Sequence, residues 1–476
     1  MKSFIFVIIC VFTAVSSFGQ TVAPTPLLYS EKTLGDMTRL QKAALASDYA
    51  YRQTQYLSNN IGPRLTGSPQ AQRAVEYVAD QMRKAGLDVR LQKLTVPHWV
   101  RGIETGEIVE FSGMAPGTTQ KIVLTALGGS IATPTDGMTA EIVVVKSFQE
   151  LTELGRDKIV GKIVLFNNKF DREMQASGFG GAAYGQAVAF RFAGAMAAAR
   201  FGAIGVLVRS AGGSQNRLAH TGAMGYDPNV TKIPGAAVSY EDAETLAYLA
   251  SMGKVRVHFT MTPQTLPDAI SYNVIGELKG SEKPDEIVVV GGHLDSWDLG
   301  TGALDDACGV AVSMSVGYLA NQLKLKPKRT IRVIAFMNEE NGGAGGRGYF
   351  EEAKNDTAKH FAAIESDVGA SHPLGFYFSG KTEALPFFAP VSNLLLSQGA
   401  NQIQQQPGGV GSDIGPLTQA GVPSFAPWFN QQTYFNYHHT AADTFDKINP
   451  KEIAEVASVM AVLAYGLANL EQPLPR

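Results

Sequence analysis

The sequence predicts an α/β protein: a mixed, mostly parallel sheet flanked by helices, with an inserted β-rich domain. Two observations predict it. From Ser271 onward, short apolar runs alternate with helical stretches, the pattern of a sheet covered on both faces. Between about residues 116 and 263 the texture changes to apolar strands joined by Gly-rich and Ala-rich connections. At 476 residues the chain also exceeds the usual size of one core, so a second unit is expected.

Taken in order, Met1 and Lys2 precede an apolar run from Phe4 to Val15 and then Ser16, Ser17, Phe18 and Gly19. This is the order of a cleaved export signal over residues 1–19, with cleavage before Gln20, and it predicts a secreted or periplasmic protein. About 12 apolar residues fall short of the roughly 20 that span a bilayer, and no later stretch is expected to cross one. After a polar lead-in, Ser68 caps a helix that Pro69 opens and Gly86 closes, with Val75, Val78 and Met82 on its inner face. Val89 to Val96 alternates as a strand.

Within the insert, Glu141 to Val145, Gly161 to Phe166 and Gly202 to Val208 read as buried strands, and the Ala-rich stretch before Gly202 as a helix. Beyond it, Glu286 to Gly292, Ile331 to Met337 and Phe361 to Ser366 are strands, with a helix from Gly309 to Leu323 between the first two. Asn449 and Pro450 begin a last helix whose inner face carries Ile453, Val456, Met460 and Leu463.

Composition narrows the function classes. Lys plus Arg (40) nearly balances Asp plus Glu (43), so no net field favours nucleic acid or an anionic membrane surface. Of the two cysteines, Cys10 leaves with the signal, so the mature chain forms no internal disulfide; Cys308 reads as a small packing residue. His98, His220, His258, His360 and His372 read as structural or surface histidines. The glycines from Gly342 to Gly348 are no dinucleotide loop, because two acids intervene and no ribose-binding acid follows at the right distance. Asn229 and Asn355 open glycosylation sequons.

The chemistry lies at strand ends. Open α/β sheets bind ligands beyond the carboxyl ends of their strands. His293 and Asp295 follow one strand there, Glu339 and Glu340 a second, and Asp367 a third; Asp305 and Asp306 precede a helix, and His438 and His439 lie in a late loop. Two histidines with three carboxylates suit zinc, with manganese or cobalt able to substitute, whereas magnesium or calcium prefers oxygen alone. Two divalent ions balance Asp305, Glu340, Asp367 and one bridging hydroxide, so the count favours a pair of zinc ions.

As a set, "HLDS" (His293 to Ser296), "GALDDACG" (Gly302 to Gly309), "NEENGGAGGRGYF" (Asn338 to Phe350), "ESDVG" (Glu365 to Gly369) and "HTAADT" (His439 to Thr444) resemble the successive motifs of the di-zinc aminopeptidase and glutamate carboxypeptidase family. "VPHWVRG" (Val96 to Gly102), "GSDI" (Gly411 to Ile414) and "YFNYHHTAADT" (Tyr434 to Thr444) are most similar to its carboxypeptidase Q branch. The resemblance implies a zinc exopeptidase fold whose catalytic peptidase domain, 20–115 and 264–476, is interrupted by a protease-associated domain at 116–263.

It further implies that Asp305 bridges two zinc ions, that His293 and Asp367 complete one and Glu340 and His439 the other, and that Glu339 transfers the proton of the attacking water. Asp295 is expected to orient the His293 ring, the Asp305–Asp306 peptide to be cis, and Ser412 and Asp413 to bind substrate. Aminopeptidase relatives carry a tyrosine where this chain has Gly411; His438 is the expected replacement donor to the developing oxyanion.

The implied substrate is a dipeptide or short peptide, and the implied assembly a homodimer. Three other readings stand beside it: an aminopeptidase, a catalytically inactive receptor-like binding protein, and a one-zinc acyltransferase of the glutaminyl cyclase type.

Overall fold

In a computed structural model that describes residues 27–476, the chain builds two eight-stranded sheets. The export signal expected over 1–19 lies outside the described residues. The first sheet runs, from edge to edge, Asp88–Val100, Gln264–Leu278, Arg329–Phe336, Lys283–His293, His360–Glu365, Ser424–Phe429, Pro373–Ser379 and Gln402–Gln405.

Its centre is parallel. Lys283–His293 pairs in parallel with Arg329–Phe336 on one side and His360–Glu365 on the other, and the latter pairs in parallel with Ser424–Phe429. Val288, Val289 and Val290 are fully buried, which is why this strand reads as a continuous apolar run rather than an alternating one. Four parallel strands thus end on the same rim, and the segments that follow them leave the sheet together.

Helices cover both faces. Pro69–Lys84 begins where Ser68 accepts the Ala71 N–H at 3.1 Å and buries Val75, Val78 and Met82. Cys308–Gln322 is buried along most of its length. Pro450–Asn469, capped by Asn449, is buried from Ile453 to Asn469, each Val or Leu there contributing about 1.5–3 kcal/mol by leaving water. Contrary to the sequence expectation, this helix is long and apolar enough to cross a bilayer, but 94% of its apolar window is packed inside the protein. The segment read as a polar lead-in forms two helices, Glu31–Leu45 and Tyr49–Gln55; Met37, Leu40 and Ala44 carry the first onto the core.

The second sheet takes its strands from Glu104 to Met261, starting ahead of position 116. Met138–Val145, Ile163–Phe166, Gly205–Arg209 and Gly235–Val238 are mutually parallel, and helices Phe148–Ile159, Gly180–Arg200 and Tyr240–Met252 accompany them. The unit is therefore itself α/β rather than simply β-rich. Gly180–Arg200, the Ala-rich stretch, comes against the rim of the first sheet, where Gly181 N–H donates to Gln431 Oε1 at 2.8 Å.

Candidate metal centre

Five side chains meet on that rim. Asp305 is central: its Oδ1 lies 3.1 Å from His293 Nε2 and its Oδ2 3.1 Å from His439 Nε2. Asp367 Oδ1 stands 3.0 Å from His293 Nε2, and Glu340 Oε2 stands 2.9 Å from His439 Nε2. The cage has two halves that share one carboxylate.

The imidazoles are turned the way metal ligands must be. His293 Nδ1 faces the Asp295 main-chain carbonyl at 3.0 Å and His439 Nδ1 faces the Thr221 carbonyl at 3.3 Å. A carbonyl only accepts, so His293 spends its N–H at Nδ1 and leaves its Nε2 lone pair directed into the cage, whereas His439 Nδ1 also meets the donor Arg191 Nη1 at 3.3 Å. His439 adopts φ 59°, a left-handed conformation that non-glycine residues rarely take and that clusters at functional sites.

The loops are pinned by carboxylates. Asp443 accepts from the N–H groups of Ala303 (3.0 Å), Leu304 (2.7 Å) and Asp305 (3.2 Å). Asp306 accepts from His293 N–H at 3.0 Å and Gly309 N–H at 2.9 Å and so ties the loop to the strand end. A β-carbon at Gly309 would stand 2.0 Å from the Ser366 carbonyl and 2.2 Å from Asp306 Oδ1, so only glycine lets these segments close. Beneath them the buried Arg64 guanidinium donates to the carbonyls of Gly62, Leu294, Thr301 and Gly302. The Asp305–Asp306 peptide is cis.

The charge set calls for cations. Burial raises Glu340 to about 7 and Asp367 to about 6, with Asp305 adding to both shifts. Burial also opposes charge on His293, yet the carboxylates of Asp367 and Asp305 outweigh it and lift the ring well above its usual value. Asp305 Oδ2 is buried without a hydrogen-bond partner among the described residues, an orphaned acceptor 3.1 Å from His439 Nε2. Nitrogen and carboxylate donors converging in this way fit zinc.

Comparison with known proteins agrees. Residues 273–464 match the profile of peptidase family M28. Over 433 residues the chain is 37% identical to carboxypeptidase Q of Bos taurus, covering 90% of this chain and 88% of that one. The chain belongs to peptidase family M28. It is therefore a zinc-dependent metallopeptidase, and its cofactor is a pair of zinc ions.

A crystal structure of a peptidase M28 precursor from Shewanella amazonensis superposes with a TM-score of 0.87 at 36% identity, covering 94% of this chain and 99% of the other. The zinc aminopeptidase of Bacillus subtilis shares the fold at a TM-score of 0.63 and 22% identity, over 89% and 98% of the two chains.

Within this M28 framework some expected residues stand elsewhere than anticipated. The Asp295 carboxylate lies 3.9 Å from His293 Nδ1; its oxygens instead accept the N–H groups of Asn338 (2.7 Å), Glu339 (3.0 Å) and Glu340 (3.3 Å) and the Thr66 hydroxyl. It shapes the acidic loop, and its main-chain carbonyl, not its side chain, orients His293. Asp413 was expected at the substrate, but it is buried and accepts Gly346 N–H at 3.1 Å, steadying the start of helix Ala344–Ala353.

Ser412 does line the cleft, in both the 340 Å³ cavity over the cage and the adjoining 660 Å³ cavity. Glu339 and His438 line the smaller of these, and His438 Nε2 is 3.4 Å from Asp305 Oδ2. Gly411 has a steric reason: a β-carbon there would lie 2.5 Å from Glu365 Oε2, since Glu365 accepts the N–H groups of Ser412, Asp413 and Ile414. A tyrosine does not fit.

Several contributors carried no role in the sequence reading. Glu365 and Asp443 sit inside the quoted motifs, where their acidity was the available signal. Tyr184, Arg191, Thr221 and His220, the last of these read from the sequence as a structural or surface histidine, come from the second sheet's unit to the neighbourhood of His439, and no local pattern announces them.

Proposed function

We propose that this M28 peptidase is a di-zinc exopeptidase that hydrolyses dipeptides or short peptides. The observation carrying the reading is the position of Asp305 between two imidazoles, with Asp367 and Glu340 closing the two halves of the cage. His293 and Asp367 would hold one ion, His439 and Glu340 the other, and Asp305 both. When bound, the zinc pair supplies Lewis acidity that makes water a competent nucleophile near neutral pH.

The remaining steps belong to side chains. Glu339 lines the cavity beside the cage, and burial lifts it to about 7, so it can take a proton from the attacking water and return it to the leaving amine nitrogen. Cations nearby lower that value and favour its base form. His438 faces the same cavity and donates to the scissile carbonyl oxygen as it gains charge. Asp295 holds the Glu339–Glu340 backbone in place, and Ser412 offers its hydroxyl to substrate.

Cavities of 340 and 660 Å³ joined at Asp367, Val368 and Ser412 suit a small ligand rather than a folded chain. The unit built from Glu104 to Met261 is read as the protease-associated insert, walling the cleft through Gly180–Arg200. The amino-terminal sequence supports export, hence a secreted or periplasmic enzyme.

Elemental analysis combined with free, amine-blocked and carboxyl-blocked dipeptides tests this reading. Two zinc ions per chain and loss of turnover on carboxyl blocking are expected. Tolerance of a blocked carboxylate with loss on amine blocking would make it an aminopeptidase. One zinc per chain, or none, would remove the di-zinc exopeptidase.

A further inference from the structure

We propose that His220, a residue of the second sheet's unit, sets the position of the ring proton on His438, so that His438 presents an N–H rather than a lone pair to the reaction centre. The inference deepens the proposed function and rests on its assignment of His438 as the carbonyl donor.

His220 is fully buried, its main-chain N–H donating to Ser210 Oγ at 3.0 Å. Its Nε2 lies 3.1 Å from His438 Nδ1. Two neutral imidazoles meeting in this way share one proton between the facing nitrogens, and the far side of His220 decides which of them bears it. At the far side of His220, Nδ1 is buried with no hydrogen-bond partner among the described residues. A buried N–H without an acceptor is the rarer and costlier orphan, so the His220 proton belongs at Nε2.

His220 Nε2–H therefore donates to His438 Nδ1, and the proton of the neutral His438 ring sits at Nε2, on the cavity side. Packing holds the ring plane. His438 stacks on His439 with centroids 3.7 Å apart and is walled by Tyr184, Tyr434 and Phe435. Remove the His220 donor and the same ring can place its proton at Nδ1, turning a lone pair toward the carbonyl oxygen it is meant to polarise. His220 is thus a positioning residue, acting through His438 without touching substrate. It lets the second unit take part in the chemistry rather than only border the cleft.

The direct test is spectroscopic and needs no functional variant: two-bond proton–nitrogen correlation spectra of the zinc-loaded protein with isotope-labelled histidine, the His438 signals assigned by their loss in His438→Gln. A protonated Nε2 and bare Nδ1 on His438 are expected; a proton at Nδ1 overturns the proposal. In kinetics, His220→Leu is expected to lower kcat by on the order of tenfold to a hundredfold with KM and zinc content unchanged. His220→Gln, whose amide N–H can replace the Nε2 donor, restores most of it. Unchanged kcat in His220→Leu also overturns the proposal. Full turnover in His438→Gln, with the Nε2–H form present in the parent protein, removes the donor role of His438 but supports the contact with His220.

Discussion

The Asp295 carboxylate accepts the main-chain N–H of Glu339 at 3.0 Å, so the acid that follows one parallel strand shapes the acidic loop that follows its neighbour. Because the same carboxylate also holds Asn338 and Glu340, the proton-transfer residue and a cage residue share one support. Asp295→Asn turns an amide N–H toward donors it must accept from. The expected result is about 1–3 kcal/mol of lost stability and a lower kcat, read by thermal unfolding and by turnover. Wild-type values in both would separate the loop from this contact.

Glu339→Gln removes the proton acceptor while preserving shape. Both zinc ions and the unfolding temperature are expected to persist, with turnover falling by about a hundredfold or more. Steady-state kinetics on metal-quantified protein decides it, and near-normal kcat assigns proton transfer to another group.

Asp305→Ala removes the carboxylate shared by both halves of the cage. Zinc content below one per chain and loss of activity are expected. Thermal unfolding should become insensitive to added zinc, because only a ligand that binds the folded state stabilises it. Retention of two ions would refute the bridging assignment.

Zinc affinity is expected to fall as pH falls. In the metal-free cage burial disfavours charge on His293, but Asp367 and Asp305 outweigh it, so the ring keeps its proton to higher pH than a free imidazole. Zinc must displace that proton, so binding releases protons and tightens as pH rises through the raised value. Competition titrations with a zinc chelator at about pH 6 and about pH 8 check the sign; equal affinities would contradict it.

Gly411→Ala places a β-carbon against Glu365. Overpacking of this kind costs about 1–3 kcal/mol, and the displaced Ser412 loop should raise KM more than it lowers kcat. Unfolding curves and Michaelis parameters measured together distinguish this from a neutral substitution.

Much of the first sheet was legible because its central strands are buried on both faces and so appear as unbroken apolar runs, while Ser68 and Asn449 announce helix starts. The amino-terminal helices were missed although Met37, Leu40 and Ala44 already have helical spacing; charged residues between them masked the stripe. Pro373–Ser379, antiparallel to Ser424–Phe429, and Gln402–Gln405, parallel to Pro373–Ser379, lack a comparable run, and their partners are distant in sequence.

By itself the sequence determined the ingredients of the site: which acids and histidines follow the parallel strands, and the motif order that marks a di-zinc peptidase. Those facts are local, since a strand end and its next few residues are read along the chain. Tertiary structure alone decided which oxygen faces which nitrogen. It made Asp295 a support for the acidic loop, withdrew Asp413 from the cleft, required glycine beside Glu365, and brought His220 against His438. Such contacts join residues far apart in the chain, where periodicity and propensity carry no information about distance.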